Sequence, residues 1–192
     1  FNTPYEITKS IGEAYCNYFG KSNDVEITRA RIFNSYGPGE VPGRYRNVIP
    51  NFIYLARQGE PLPITGSGEE TRDFTYVSDI VSGLLSLGSE AIASGEVYNL
   101  ATGEETTINE LAKTINTVVG NDAGVEYQPR RDWDETERRR GSTEKVSEHV
   151  GYEPSVSISE GIKRTATWFG ENCSDIKTVA DFSDDVPTEG RV

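Results

Sequence analysis

Thr3-Pro4-Tyr5-Glu6-Ile7-Thr8-Lys9, followed by the run Val25 to Gly39 (VEITRARIFNSYGPG), sets the reading of this chain. Thr3 suits the N-cap of a helix and Pro4 its first turn. Ile7, Ile11, Ala14, Tyr15 and Tyr18 then recur at helical spacing and predict a buried stripe, with Gly20 as the expected stop. Tyr5 and Lys9 stand at i and i+4, so they share one side of that helix. Val25, Ile27 and Ile32-Phe33 predict a strand, expected to be interior and parallel because helical segments follow it. Asn34 to Gly39 reads as a loop.

Beyond this block, strand and helix signals alternate. Residues 34–47 form a Gly- and Pro-rich loop with Arg44 and Arg46. Val48 to Arg57 reads as a helix with Ile49, Phe52, Ile53 and Ala56 inward, and Pro61 to Thr65 as a short strand before the turn Gly66-Ser67-Gly68. Arg72 to Val77 alternates as a strand, and Ser78 or Asp79 is expected to cap a helix through Leu87. Glu96 to Ala101 is a further strand. Thr107 with Glu110 spells a capping box ahead of Leu111 and Ile115. Val125 to Tyr127 predicts a strand, and Ser142–Val150 and Ser157–Phe169 predict helices. The pattern is α/β: residues 1–170 as one unit, followed by an acidic, mobile tail over 171–192.

The totals narrow the chemistry. At 192 residues the chain can build one good core. Its net charge of −12 argues against nonspecific binding to nucleic acid or an anionic membrane. No apolar run approaches the ~20 residues of a membrane span. An acidic surface suits a cytoplasmic protein from a salt-rich environment; stability indifferent to molar salt would contradict that. Cys16 and Cys173 lack metal-ligand spacing, and His149 is the only histidine, so neither a metal site nor a histidine-based triad is expected. The chain has no methionine and opens in mid-motif, which leads us to expect a missing front.

Free tyrosine titrates near pH ~10, and a lysine ammonium one turn away favours the phenolate. Tyr5 could then take a proton from a sugar hydroxyl while hydride leaves the same carbon. A Tyr-x-x-x-Lys alone also describes any solvated i,i+4 pair. Here it is followed in order by Arg31-Ile32-Phe33-Asn34-Ser35-Tyr36-Gly37-Pro38, Gly66-Ser67-Gly68, Arg72-Asp73-Phe74-Thr75-Tyr76-Val77-Ser78-Asp79 and Tyr98-Asn99-Leu100-Ala101-Thr102-Gly103. Together these resemble the C-terminal half of the NAD-dependent epimerase/dehydratase family, extended short-chain dehydrogenases/reductases that act on nucleotide sugars.

The resemblance implies a partial Rossmann-like parallel sheet plus a smaller α/β substrate-binding domain. It implies NAD as cofactor, a nucleotide-diphosphate sugar as substrate, and a homodimer formed through a helix bundle that includes Ile11, Tyr15 and Tyr18. Tyr5 would be the catalytic base and Lys9 would bind the nicotinamide ribose, with Phe33 beside the nicotinamide. Asn34 would contact the pyrophosphate and Arg72 the nucleotide phosphate or ribose. Val48, Pro63 and Ile64 would pack the base, and Arg131 and Asp134 would lie near the phosphates and ribose. The expected reaction is 4-epimerisation through a 4-keto intermediate. The alternatives are 4,6-dehydration, decarboxylation of a uronic acid, or a non-catalytic nucleotide-sugar-binding remnant.

Other readings of these residues stay open. Arg72 could pair with Asp73 or Asp79, and Arg138 to Arg140 could be a solvated basic run. Asn34 could cap its loop, and Asp79 reads as a helix N-cap. The chain has Gly141-Ser142-Thr143-Glu144-Lys145 where the family usually has Asp-x-Ser-Lys. The family's Gly-rich phosphate loop is absent from these residues, and Gly37-Pro38-Gly39 does not replace it. By itself the chain is expected to hold NAD weakly and to be inactive.

Overall fold

Thr3 Oγ1 accepts the Glu6 amide at 3.2 Å and Pro4 fills the first turn, so helix α1 starts at Pro4 and runs to Asn23. The computed structural model describes residues 3–43, 47–130 and 137–172. Asp24, in the left-handed region at φ 53°, closes the helix. Gly20 is thus inside α1 and does not stop it; a Cβ there would meet the Val25 carbonyl at 3.4 Å, an ordinary contact. The buried stripe expected on α1 is a larger correction. None of its residues is buried, and Ile7, Ile11, Tyr15 and Tyr18 are 45 to 61% exposed. The helix is held at its side by a bidentate pair, Glu13 with Arg31 at 2.6 and 2.7 Å.

Strand β1 (Arg29–Ile32) is shorter than its Val25–Phe33 signal, and Val25 is exposed. Strands β2 (Ser35–Tyr36), β3 (Leu62–Thr65), β4 (Thr71–Arg72) and β5 (Thr75–Tyr76) follow, interleaved with helix α2 (Val48–Gln58). After helix α3 (Val77–Ser89) and a 3-10 turn at Ala91–Ala93 come β6 (Val97–Leu100), β7 (Thr106–Thr107) and α4 (Ile108–Val119). Strands β8 (Val125–Gln128) and β9 (Arg138–Arg139) precede α5 (Glu144–Val150) and α6 (Ile158–Asn172).

The pairings are mostly parallel. β1 lies along β6 with Arg29 opposite Val97 and Ile32 opposite Leu100. β2 pairs with β5 and β3 with β8, both parallel. β4 is the centre of a three-stranded sheet, antiparallel to β7 and parallel to β9. Among the described residues β1 has one strand neighbour, so it is an edge here and not the interior strand its composition suggests.

Two apolar clusters support these pieces. The larger joins Ile49 and Ile53 of α2, Leu62 and Ile64 of β3, Ile115 of α4 and Ile162 of α6, each 0 or 1% exposed. The smaller sets Tyr98 and Leu100 of β6 against Ile80 and Leu87 of α3, Val146 of α5, and Tyr152. The capping box holds: Thr107 Oγ1 accepts the Glu110 amide at 3.0 Å, and the Glu110 carboxylate accepts the Thr107 amide at 2.9 Å. His149 sits near the end of α5 with Nδ1 2.8 Å from the Tyr98 hydroxyl, a packing role.

The segment Arg72 to Val77 is not one strand. Asp73 and Phe74 separate β4 from β5, because both side chains are buried where alternation would turn one outward. Asp79 is not the cap of α3, whose N-cap position is Tyr76 without a side-chain bond. Its carboxylate instead accepts the Ser155 hydroxyl at 3.2 Å and the Val156 amide at 3.1 Å, fastening the chain just before α6.

Candidate functional site

The first turns of α1 present Tyr5 and Lys9 together. The Lys9 ammonium lies over the Tyr5 ring, 5.3 Å from its centroid, an electrostatic contact of a cation with the ring face. Tyr5 is 68% exposed, the condition of a group that a ligand can reach. Tyr36 and Tyr152 differ. Burial, followed by their carboxylate and tyrosine neighbours, pushes both phenols well above the usual range, and their hydroxyls donate to the carbonyls of Ile158 and Ala101. Neither can serve as a base at neutral pH.

The carboxyl ends of β1 and β6 lie side by side, the position at which open parallel sheets take ligands. Phe33 extends β1 by donating its amide to the Leu100 carbonyl at 3.0 Å, and its ring packs where a Cβ on Gly141 would stand, 3.3 Å away. That Cβ would also meet Ala101 at 2.5 Å, so only glycine fits at 141. Asn34 follows, its carbonyl accepting the Thr75 amide at 3.3 Å.

The residue that assembles this end of the sheet is Asp73, which the sequence reading considered only as a partner for Arg72. It is 0% exposed. One carboxylate oxygen accepts the Thr102 amide at 2.9 Å and the Thr102 hydroxyl at 2.7 Å; the other accepts the Gly103 amide at 2.9 Å and the Gly141 amide at 3.2 Å. Thr75 Oγ1 adds a longer contact at 3.5 Å. A buried carboxylate is tolerable only when so satisfied, and here the donors come from three separate segments. The usable signal was an aspartate inside a strand-forming run.

The remaining expected contacts are spread along the substrate-side elements. Val48 opens α2 and is half-buried against the larger cluster. Pro63 is partly exposed on β3, whereas Ile64 is 0% exposed with its side chain in the core, so contact with a base there would come through its main chain. Arg72 is half-buried on β4 and donates to its neighbour's carbonyl, Thr71 O, at 2.9 Å. Arg131 and Asp134 lie outside the described residues, as does Cys173.

Of the basic run, Arg138 binds the Glu105 carboxylate in bidentate fashion and Arg140 Nε donates to the Gly103 carbonyl at 2.6 Å. The guanidinium of Arg138 first, then the Thr71 hydroxyl, hold Glu105 down at about 2. The run is exposed, as a solvated basic run would be, with Arg138 and Arg140 tied to Glu105 and Gly103. Lys145 is also structural: it donates to Glu96 at 2.6 Å and to the Val97 carbonyl at 3.1 Å.

Residues 1–101 match the model of the NAD dependent epimerase/dehydratase family. UDP-glucuronic acid decarboxylase 1 of Danio rerio is 38% identical over 165 residues, which is 86% of this chain and 38% of that protein. A solved epimerase from Methanothermobacter thermautotrophicus superposes with a TM-score of 0.91 at 51% identity, covering 94% of this chain and 54% of that one. The Bordetella bronchiseptica enzyme WbmF, solved in complex with NAD+ and UDP, gives 0.82 at 38% identity over 92% of this chain and 56% of its own. The chain thus spans about half the length of these solved relatives and less of the decarboxylase. With its motifs in register and its parallel sheet pieces in place, the chain belongs to the NAD-dependent epimerase/dehydratase family.

Proposed function

We propose that residues 1–170 are the substrate-binding half, together with the Tyr/Lys helix, of an enzyme that interconverts nucleotide-diphosphate sugars with NAD. The observation that carries this reading is the exposed Tyr5–Lys9 pair at the start of a capped helix, in a chain whose relatives are nucleotide-sugar enzymes. The residues present fit the nicotinamide end of the cofactor. Lys9 supplies a cation and hydrogen-bond donors for the ribose, and Phe33 closes the carboxyl end of β1. NAD+, when bound, accepts hydride from the sugar C4 and later returns it.

Tyr5 takes the proton of the 4-hydroxyl as the C4–H bond breaks, so that oxygen and carbon become a carbonyl. The proton lands on the Tyr5 phenolate oxygen, which becomes a neutral phenol, and the Lys9 ammonium stands beside the charge that the transfer removes. Asn34 and Arg72 hold the diphosphate, with Arg131 and Asp134 assigned to the same ligand. Val48 and Pro63 flank the base, and Ile64 supports it from the core. In an epimerase Tyr5 would give the proton back to the C4 oxygen as the carbon is reduced on its opposite face, yielding the inverted alcohol.

We favour 4-epimerisation because the solved epimerase shares more identity with this chain than the decarboxylase does. The decarboxylase reading rests on a relative that covers most of the chain, and it starts from the same C4 oxidation. Within the same reading, the exposed Ile11, Tyr15 and Tyr18 of α1 meet a second copy of the chain. The acidic surface belongs to a cytoplasmic protein of a salt-rich environment. No helix among the described residues is long and apolar enough to cross a membrane.

The test is proton NMR of the native protein with NAD+ and either UDP-glucose or UDP-glucuronate. Epimerised UDP-hexose supports the proposal, and a UDP-pentose with carbon dioxide moves it to decarboxylation. Binding without turnover of any UDP-sugar would leave the non-catalytic remnant.

A further inference from the structure

Tyr5, Lys9 and Glu13 follow one another at four-residue steps along α1, so they share one stripe of the helix surface. Lys9 stands in the middle, one turn from the tyrosine ring and one turn from the carboxylate. Its ammonium, on a flexible stem, can turn to either. It lies over the Tyr5 ring, 5.3 Å from the centroid. The Glu13 carboxylate is taken elsewhere: Oε1 accepts Arg31 Nε at 2.6 Å and Oε2 accepts Arg31 Nη2 at 2.7 Å. Chiefly these bonds to Arg31 hold the Glu13 carboxyl below the usual range.

Arg31 reaches Glu13 from β1, where it stands opposite Asn99 of β6. The side chains of Arg31 and Glu13 are 56 and 31% exposed, and a pair so placed adds little to stability. Its fork geometry nevertheless takes up both oxygens of the carboxylate that stands one turn beyond Lys9. We propose that Arg31 is a positioning residue for the Tyr5–Lys9 pair: by occupying Glu13, it keeps that carboxylate from drawing the Lys9 ammonium off the tyrosine. Glu13 left alone would form an i,i+4 pair with Lys9 and neutralise the cation that favours the phenolate. Because lysine precedes glutamate here, the less favourable order on a helix, this competition is worth about a twofold change in population. Its bearing on turnover rests on the nucleotide-sugar reading above, whereas the contact itself can be read without substrate.

The experiment is NMR of the full chain, following the upfield ring-current shift that Tyr5 imposes on the Lys9 ε-methylene protons. That shift is identified by its loss in Tyr5→Leu, and every variant is first checked for unchanged helix content by circular dichroism. Arg31→Gln is expected to reduce the shift to about half, the effect of releasing Glu13 toward Lys9. Glu13→Gln, and Glu13→Gln combined with Arg31→Gln, are expected to keep the wild-type shift, since no competing carboxylate is left at position 13. Glu6, the other carboxylate within one turn of Lys9, is the same in all of them. With NAD+ and a UDP-sugar in the active assembly, turnover should fall in Arg31→Gln and return in the double variant. An unchanged shift in Arg31→Gln overturns the inference. Equal loss in Arg31→Gln and the double variant, or loss in Glu13→Gln, also overturns it, because the ion pair would then only hold the helix in place. A wild type that turns over no UDP-sugar overturns the nucleotide-sugar reading, while the Lys9 shift still decides the role of Arg31.

Discussion

Helices α1 and α4 carry the same kind of sequence signal and end in opposite situations. Both have apolar residues at helical spacing and a threonine N-cap whose hydroxyl accepts the N3 amide. In α4, Leu111, Ala112 and Ile115 are 0% exposed, packed between α2, β3 and α6. In α1 no residue is buried, and its apolar side chains stand in solvent beside Tyr5 and Lys9. Periodicity fixes which residues share a helix face. It says nothing about what covers that face. The two helices differ in what they present: α4 holds the fold, and α1 exposes the Tyr5–Lys9 pair and an apolar face, where our proposal places the chemistry and a second copy.

The sharpest way to break this contrast is chemical. Tyr5→Phe removes the proton acceptor and is expected to lower turnover of a UDP-sugar by about 10²- to 10⁴-fold in the active assembly while leaving the melting temperature of this chain in place. A variant that turned over normally, or that unfolded, would erase the distinction. Next in size is the packing difference. Ile115→Ala in α4 is expected to cost about 2–5 kcal/mol, whereas Ile11→Ala in α1 stays within about 0.5 kcal/mol for the monomeric chain, both read by urea unfolding. Equal losses would mean that α1 is covered in solution, and sedimentation would then show the second copy.

The caps give a finer probe. Thr107→Ala should remove about 1 kcal/mol from global stability, since α4 unfolds only with the core. Thr3→Ala should instead appear as faster amide exchange over the first turn of α1, with the global transition unmoved.

The smallest effect expected is one of pH. Glu105 titrates at about 2 in the folded chain, held there by Arg138 and Thr71, against an ordinary carboxylate value near 4.5. Its folded value is depressed, so its contribution is present above about 4.5 and is lost as pH falls from there to about 2. Glu105→Gln should flatten that part of the acid-unfolding profile, followed by circular dichroism. An unchanged profile would show that the β4–β9 junction does not depend on this carboxylate.

Most of the scaffold was legible in the residues. The capping box at Thr107, the strand at Leu62 to Thr65 and the helices α2 and α6 follow from local patterns that need no distant partner. The failures share one physical cause, which is long-range contact. The exposure of Ile11 and Tyr15 depends on what lies against α1. The break between β4 and β5 depends on donors near positions 102 and 141 that Asp73 recruits from far along the chain. Asp79 likewise serves residues 155 and 156, so its position at a helix start was a misleading local cue. At the site, Tyr5, Lys9, Asn34 and Arg72 stood out through motif order.

The most direct measurement is calorimetric titration of UDP-glucose into the chain as wild type, Tyr5→Phe and Arg72→Gln. The account predicts one site per chain, an affinity within about twofold of wild type for Tyr5→Phe, and at least roughly tenfold weaker binding for Arg72→Gln. Absence of binding by wild type, or a loss in Tyr5→Phe as large as that in Arg72→Gln, would contradict the division between a binding frame and a reactive helix.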